Sequence, residues 1–194
     1  MSWLNPLVLS LAVIQALQGI VLLILLRQVG ILSLRVRPAG AKTMPSGPVV
    51  GELVPHLTLP DMGGTGLTLQ LPPPDEKPWI VLFVAPGCSS CQHIAPAIRS
   101  LSGETGDELG WAIVCMGRRS ECIEFRDQRS FGRSLFCYAA DEIRDLYEIG
   151  TTPYALLIGP DGNLIAKGLV NHIEHIESMI NAAREGRLVR SSSS

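Results

Sequence analysis

The apolar run Ile80 to Ala85 stops at Pro86-Gly87, and Cys88-Ser89-Ser90-Cys91 opens the segment that follows. A short run rich in β-branched and aromatic residues predicts a buried strand, Pro-Gly breaks it, and the next residues start a helix. The chain is thereby held to a fold in which a buried strand hands over directly to a helix. Cys88 then falls at the helix start and Cys91 one turn further in. Free backbone N–H groups and the positive end of the helix dipole favour a thiolate there, so Cys88 is expected to be the acidic, nucleophilic sulfur. Three residues along a helix bring the second sulfur within bonding reach. The pair reads as a dithiol that opens and closes, with Cys88 and Cys91 as the catalytic candidates.

Other uses of two cysteines compete with this reading. Half a zinc site needs a second ligand pair, and Cys115, Cys122 and Cys137 are not spaced to supply one. Covalent haem attachment needs His directly after the second cysteine, but Gln92 stands before His93. A non-catalytic module, either an assembly factor or one that holds Cu(I) through Cys88, Cys91 and His93, is the alternative class. A lone histidine on a helix surface is more often solvated, and the same holds for His172 and His175. A peroxidase of the peroxiredoxin kind wants Thr three residues before its reactive cysteine, where this chain has Ala85. No metal and no cofactor is expected. Cys115 and Cys137 fall on apparent core strands and read as packing residues. Cys122, near a helix start, is expected to be exposed. A Cys115–Cys122 bridge is one pairing among others that spacing alone does not favour. With the CxxC pair closed, three cysteines remain, so at least one is free or bonds another chain.

The N-terminus carries a second signal. Trp3 to Leu26 holds no charged residue, and about 20 apolar residues at roughly 1.5 Å each cross a hydrocarbon core. Trp3 is placed for an interface. A cleaved signal peptide would want a basic start and a shorter apolar core, yet no Lys or Arg precedes Arg27. A retained single-span anchor in the lipid bilayer is expected over residues 1–32. Residues 33–50, rich in Pro and Gly, form a flexible linker. A globular domain follows over residues 51–186, and residues 187–194 form a disordered tail. Arg27, Arg35, Arg37 and Lys42 all follow the span, which by the positive-inside rule argues for a cytoplasmic domain. The formal net charge of −2 gives no basic face for nucleic acid.

Within the domain, Val54 to Pro60 and Leu67 to Leu71 predict two short strands around a Gly-rich turn. The Cys88 helix is expected from Ser89 to Ser102, kinked at Pro96. Trp111 to Met116 and Ser134 to Ala139 predict further strands. Ser120 is expected to cap a helix to Arg129, and Asp141 one whose apolar face is Ile143, Leu146 and Ile149. Gly159-Pro160-Asp161-Gly162 turns a hairpin between Tyr154 to Ile158 and Asn163 to Lys167. Asn171 is expected to cap a last helix that Gly186 ends. The alternation implies an α/β sandwich around a mixed sheet.

These residues carry a resemblance. Cys88-Ser89-Ser90-Cys91-Gln92-His93-Ile94-Ala95-Pro96 resembles the thioredoxin active-site helix, and Gly150-Thr151-Thr152-Pro153-Tyr154 resembles that family's cis-proline loop. Val54 to Leu71 is similar to the N-terminal β extension of the TlpA and peroxiredoxin-like branch. Leu26 to Leu32 with Arg37 to Ala41 resembles the juxtamembrane segment of MauD-type methylamine utilisation proteins. The resemblance implies a thioredoxin-like fold with an N-terminal β extension behind a single transmembrane helix. It implies a thiol–disulfide oxidoreductase whose Thr152 and Pro153 bind the client chain. The implied partners are client protein thiols or disulfides, such as the methylamine dehydrogenase small subunit, and a membrane redox partner. The family shares the basic flank, so the domain is expected to be periplasmic or otherwise extracytoplasmic despite the charge bias. The chain departs from the pattern in three places: Ser89 follows the first cysteine, Gly87 rather than Trp precedes it, and Ile80 to Val84 lacks the buried acid that takes a proton from the second cysteine.

Overall fold

A computed structural model describes residues 15, 17–20 and 47–191 of the chain. Its backbone divides into two units, Met1–Ala39 and Gly40–Ser194. Of the first, the described residues Gln15 and Leu17 to Ile20 are helical and exposed. Among the described residues no helix is long and apolar enough to cross a membrane. The span expected over Trp3 to Leu26 lies mostly outside the described residues.

The second unit is built on a five-stranded mixed sheet. In chain order its elements are β1 (Leu57–Pro60), β2 (Thr68–Leu71), β3 (Trp79–Val84), α1 (Ser89–Thr105), β4 (Gly110–Met116) and α2 (Arg119–Gln128). They continue with β5 (Leu135–Ala139), α3 (Asp141–Leu146), β6 (Tyr154–Ile158), β7 (Leu164–Leu169) and α4 (Ile173–Ser191). The sheet order is β5-β4-β3-β6-β7, and β1 and β2 form a separate hairpin. β3, β4 and β5 are parallel, while β6 and β7 run against their neighbours. The crossovers through α1 and α2 cover one face of β3 and the β1–β2 hairpin covers the other, which is why β3 is almost continuously apolar. Its alternate residues serve two cores. Ile80, Leu82 and Val84 face α1, α2 and α4, packing on Ile94, Ile98, Phe125 and Ile180. Val81 and Phe83 face the β1–β2 hairpin and Tyr147.

Several local expectations need correction. α1 contains Pro96 as expected but runs past Ser102 to Thr105. Its polar end is tolerable because Thr105 Oγ1 donates to the Leu101 carbonyl at 2.7 Å and accepts from Trp111 Nε1 at 3.0 Å. α2 begins one residue before Ser120, and Arg118 takes the N-cap position without a side-chain bond. Asp141 is the first residue of α3 rather than its cap, where its charge still suits the helix dipole. Leu146 is 49% exposed. α3 ends there, Glu148 turns with φ 50°, and only Ile149 of the last two apolar positions reaches the core. Gly186 does not end α4, which runs to Ser191.

The β6–β7 hairpin forms as the Gly159 to Gly162 signal predicts. The Gly162 N–H donates to the Gly159 carbonyl at 2.9 Å. With φ +79° and Pro72 Cβ only 2.5 Å from where a Cβ would stand, position 162 admits only glycine without a shift. The outer strands are partly covered. Asp61 bridges to Cys137 beside β5, and its Oδ1 accepts the Phe136 N–H at 2.9 Å. On β7 the Gly51 N–H donates to the Leu164 carbonyl at 2.8 Å, and the Leu164 N–H donates to that of Glu52 at 2.9 Å. Lys167 Nζ donates to the Gly47 carbonyl at 2.9 Å, tying down the last residues of the linker region.

Candidate active site

The C-terminal end of β3 delivers Cys88 to the start of α1. Cys88 is the N-cap, with extended backbone angles of φ −88° and ψ 113°, and its sulfur accepts the Cys91 N–H at 3.2 Å. A helix N-terminus leaves such N–H groups without backbone partners, and here the sulfur supplies one. The turn before it is fixed twice. The Cys88 N–H donates to the Ala85 carbonyl at 3.1 Å, and Gln92 Nε2 reaches back to the Pro86 carbonyl at 3.2 Å. Cys88 is partly exposed and Cys91 fully buried, and both are free thiols. One sulfur reaches the surface and the other lies sealed behind it.

The Thr152-Pro153 peptide is cis. Its loop lies against the cysteines, and the Cys88 thiol donates to the Thr152 carbonyl at 3.4 Å. The Pro153 carbonyl in turn accepts the Val170 N–H at 2.9 Å, which anchors the loop to the end of β7. Four sequence candidates, Cys88, Cys91, Thr152 and Pro153, therefore meet at one end of the sheet although 64 residues separate Cys88 from Thr152.

Burial pushes the Cys91 thiol up to about 12, reinforced by the neighbouring Cys88 thiol. The Ala85 backbone and the Thr152 side chain work in the opposite direction. The surroundings are apolar, since Cys91 shares its core with Ile80, Leu82 and Val84. Cys91 is thus held as a neutral thiol in the reduced protein, with no carboxylate among the groups that act on it.

His93 Nδ1 donates to the Ser89 carbonyl at 2.7 Å from an exposed position. His172 and His175 pack edge to face with centroids 5.8 Å apart. Among the described residues, no group of three His, Cys, Asp or Glu side chains is placed to hold a metal ion.

The structure pairs two of the remaining cysteines. Cys115, at the end of β4, bonds Cys122 of α2, with Cα atoms 5.9 Å apart. Cys122 is fully buried rather than exposed, because it lies on the face of α2 that packs on the sheet beside Phe125. Cys137 is a buried free thiol whose Sγ donates to the Leu59 carbonyl at 3.8 Å, and burial raises it to about 12 as well. Sequence reasoning did not single out Gln92 or Gly117. The signal for the second was Gly directly after a buried strand, in a loop that the two cysteines close. Cross-linking a loop of this length restricts the unfolded chain by about 2–3 kcal/mol. The variant Cys115→Ala/Cys122→Ala is expected to melt on the order of 10 °C lower by differential scanning calorimetry.

No family profile matches the chain. The chain is 32% identical over 167 residues to methylamine utilization protein MauD of Paracoccus versutus, covering 86% of this chain and 82% of that one. It is also 32% identical over 168 residues to MauD of Methylorubrum extorquens, covering 87% and 80%. The chain belongs to the MauD family. Among solved structures, this MauD-family chain superimposes on the thioredoxin domain of a thiol-disulfide oxidoreductase from Bacteroides vulgatus. That match has a TM-score of 0.61 and 18% identity, and covers 70% of this chain and 99% of that one. A thiol:disulfide interchange protein from Bacteroides sp. gives 0.57 and 23%, covering 71% and 94%. These likenesses establish a thioredoxin-like fold for the MauD-family domain.

Proposed function

We propose that this MauD-family protein is a thiol–disulfide oxidoreductase that forms disulfides in an exported client, the methylamine dehydrogenase small subunit being the candidate. The observation that carries the reading is the arrangement at the head of α1. A part-exposed Cys88 sulfur lies 3.2 Å from the Cys91 N–H and 3.4 Å from the Thr152 carbonyl, with Cys91 sealed behind it. In the oxidised protein the two sulfurs are bonded to each other. A client thiolate attacks Cys88 Sγ, the Cys88–Cys91 bond breaks, and Cys91 leaves as a thiolate that takes up a proton. A second client thiol then attacks the client sulfur of the mixed disulfide, closes the client bond and releases Cys88. Two electrons and two protons have moved from client to protein. A membrane-bound disulfide carrier restores the pair by the same exchange run in the other direction. Thr152 and Pro153 present main chain beside the sulfurs, where an extended client segment can lie.

A single N-terminal span tethers the domain on the extracytoplasmic side. The Cys115–Cys122 bond supports this placement, since structural disulfides persist in oxidising compartments. Alkaline phosphatase fused after Ser194 should be active, and an inactive fusion would reverse the orientation.

Cys91→Ser tests the chemistry. With no Cys88–Cys91 bond to give away, this variant should not oxidise a client dithiol. When Cys88 attacks a client disulfide in the reverse direction, no Cys91 thiol can release the mixed disulfide, which should appear on non-reducing gels and dissolve with reductant. Client oxidation that continues in this variant, with no trapped species, excludes Cys91 as the disulfide partner of Cys88.

A further inference from the structure

The disulfide Cys115–Cys122 closes a loop that borders the redox turn. We propose that this loop, through Arg118 and Arg119, docks clients that carry an acidic side chain next to the reacting cysteine. The inference deepens the oxidoreductase reading and rests on it.

The loop is placed by strand register. Cys115 pairs with Val84, so β4 ends beside the end of β3, four residues before Cys88. Gly117 follows with φ +148°, a conformation side chains rarely adopt, and a Cβ there would stand 3.3 Å from Pro86 Cδ. The loop backbone thus lies against the proline of the turn that ends in Cys88. The disulfide holds the far end, and the Cys122 N–H donates to the Arg118 carbonyl at 3.0 Å. Both arginines are exposed, with the Arg118 side chain 82% accessible. Arg118 Nε and Nη2 both donate to Glu121, so an incoming carboxylate competes with that ion pair at Arg118 and meets Arg119 beside it.

This gives a rigid basic rim on one side of the nucleophile, in a chain whose overall charge is −2. Glu121 lies in the same loop, where Arg118 Nε donates to it at 2.8 Å, so the loop keeps a single net positive charge. Asp141 and Glu142 head α3 after β5, and β4 separates β5 from β3. A positive rim of this kind steers a negative partner and fixes its register more than it adds affinity. Guanidinium groups suit carboxylates because they offer paired N–H donors. An acidic client segment is favoured over an anionic lipid surface because the arginines belong to the loop that packs on the turn leading to Cys88.

The test uses the full-length protein in detergent and two dithiol peptides that differ only in Asp or Lys beside the reacting cysteine. The Asp peptide should be oxidised about tenfold faster by kcat/KM at low salt, and the ratio should approach one at about 0.5 M salt. In Arg118→Glu/Arg119→Glu the ratio should fall to one or invert. In Cys115→Ala/Cys122→Ala, which frees the loop but keeps the arginines, it should fall about threefold or more. Equal rates with both peptides, or a preference that survives the charge reversal, overturn the proposal. So does a pair of arginines that binds phosphatidylglycerol vesicles while the peptides are not discriminated. Fluorescence anisotropy of the same peptides on Cys88→Ala reads docking without chemistry. A charge preference there, with no turnover in the unaltered protein, sinks the oxidoreductase reading and leaves the docking rim standing.

Discussion

Cys88→Ala lowers turnover of insulin disulfides, or of a client dithiol, by about four orders of magnitude or more, since removing a nucleophile leaves only positioning effects. No other thiol can take over. Cys91 and Cys137 are buried and free, and Cys115 and Cys122 are buried and bonded to each other. The fold should survive, because Cys88 is only partly buried and contributes one capping contact, that from the Cys91 N–H. Loss of such a cap costs about 1 kcal/mol. Calorimetry should therefore show a nearly unchanged melt beside abolished turnover. Turnover within tenfold of the unaltered protein would mean that the sulfur at the head of α1 is not the reacting one.

Alkaline pH provides the second large effect. Burial holds the thiols of Cys91 and Cys137 up at about 12 in the folded protein, against an ordinary 9.0. A group whose proton is held more tightly when folded contributes stability that is complete below its unfolded value. That stability is lost as pH rises toward the folded one. The reduced protein should therefore keep full stability to about pH 9 and lose it between there and about pH 12, on the order of a few kcal/mol for each thiol. Tyr147, also raised by burial, adds to the loss at the upper end. Closing the Cys88–Cys91 bond removes Cys91 from the titration. Urea unfolding at pH 7 and pH 10 should thus show a smaller alkaline loss for the oxidised form than for the reduced one. Equal losses would show that Cys91 is not held neutral by its surroundings.

The redox helix was legible because its signals are local. An apolar run, a Pro-Gly stop and two cysteines three apart lie within a dozen residues, and each acts through neighbouring backbone. The β6–β7 hairpin was legible for the same reason, through Gly159 to Gly162. The loop of Thr152 and Pro153 carried a family likeness, but its approach to Cys88 depends on β6 pairing antiparallel with β3, a long-range choice that no short pattern contains. The Cys115–Cys122 bond was illegible for a related reason. It requires the end of β4 and the inner face of α2 to meet, and packing determines which face of α2 turns inward. Ser120 looked like a cap, yet α2 begins at Arg119, so a capping residue in the right neighbourhood did not decide the boundary.

Both outer strands of the sheet are partly occupied by other segments of the same chain: β5 by the hairpin end at Asp61, and β7 by Gly51 and Glu52. An open sheet edge is a template onto which any extended polypeptide can zip. Shielding both margins guards this domain against edge-to-edge polymerisation. The Thr152–Pro153 stretch beside Cys88 stays apart from both shielded margins, since β6 lies inside the sheet.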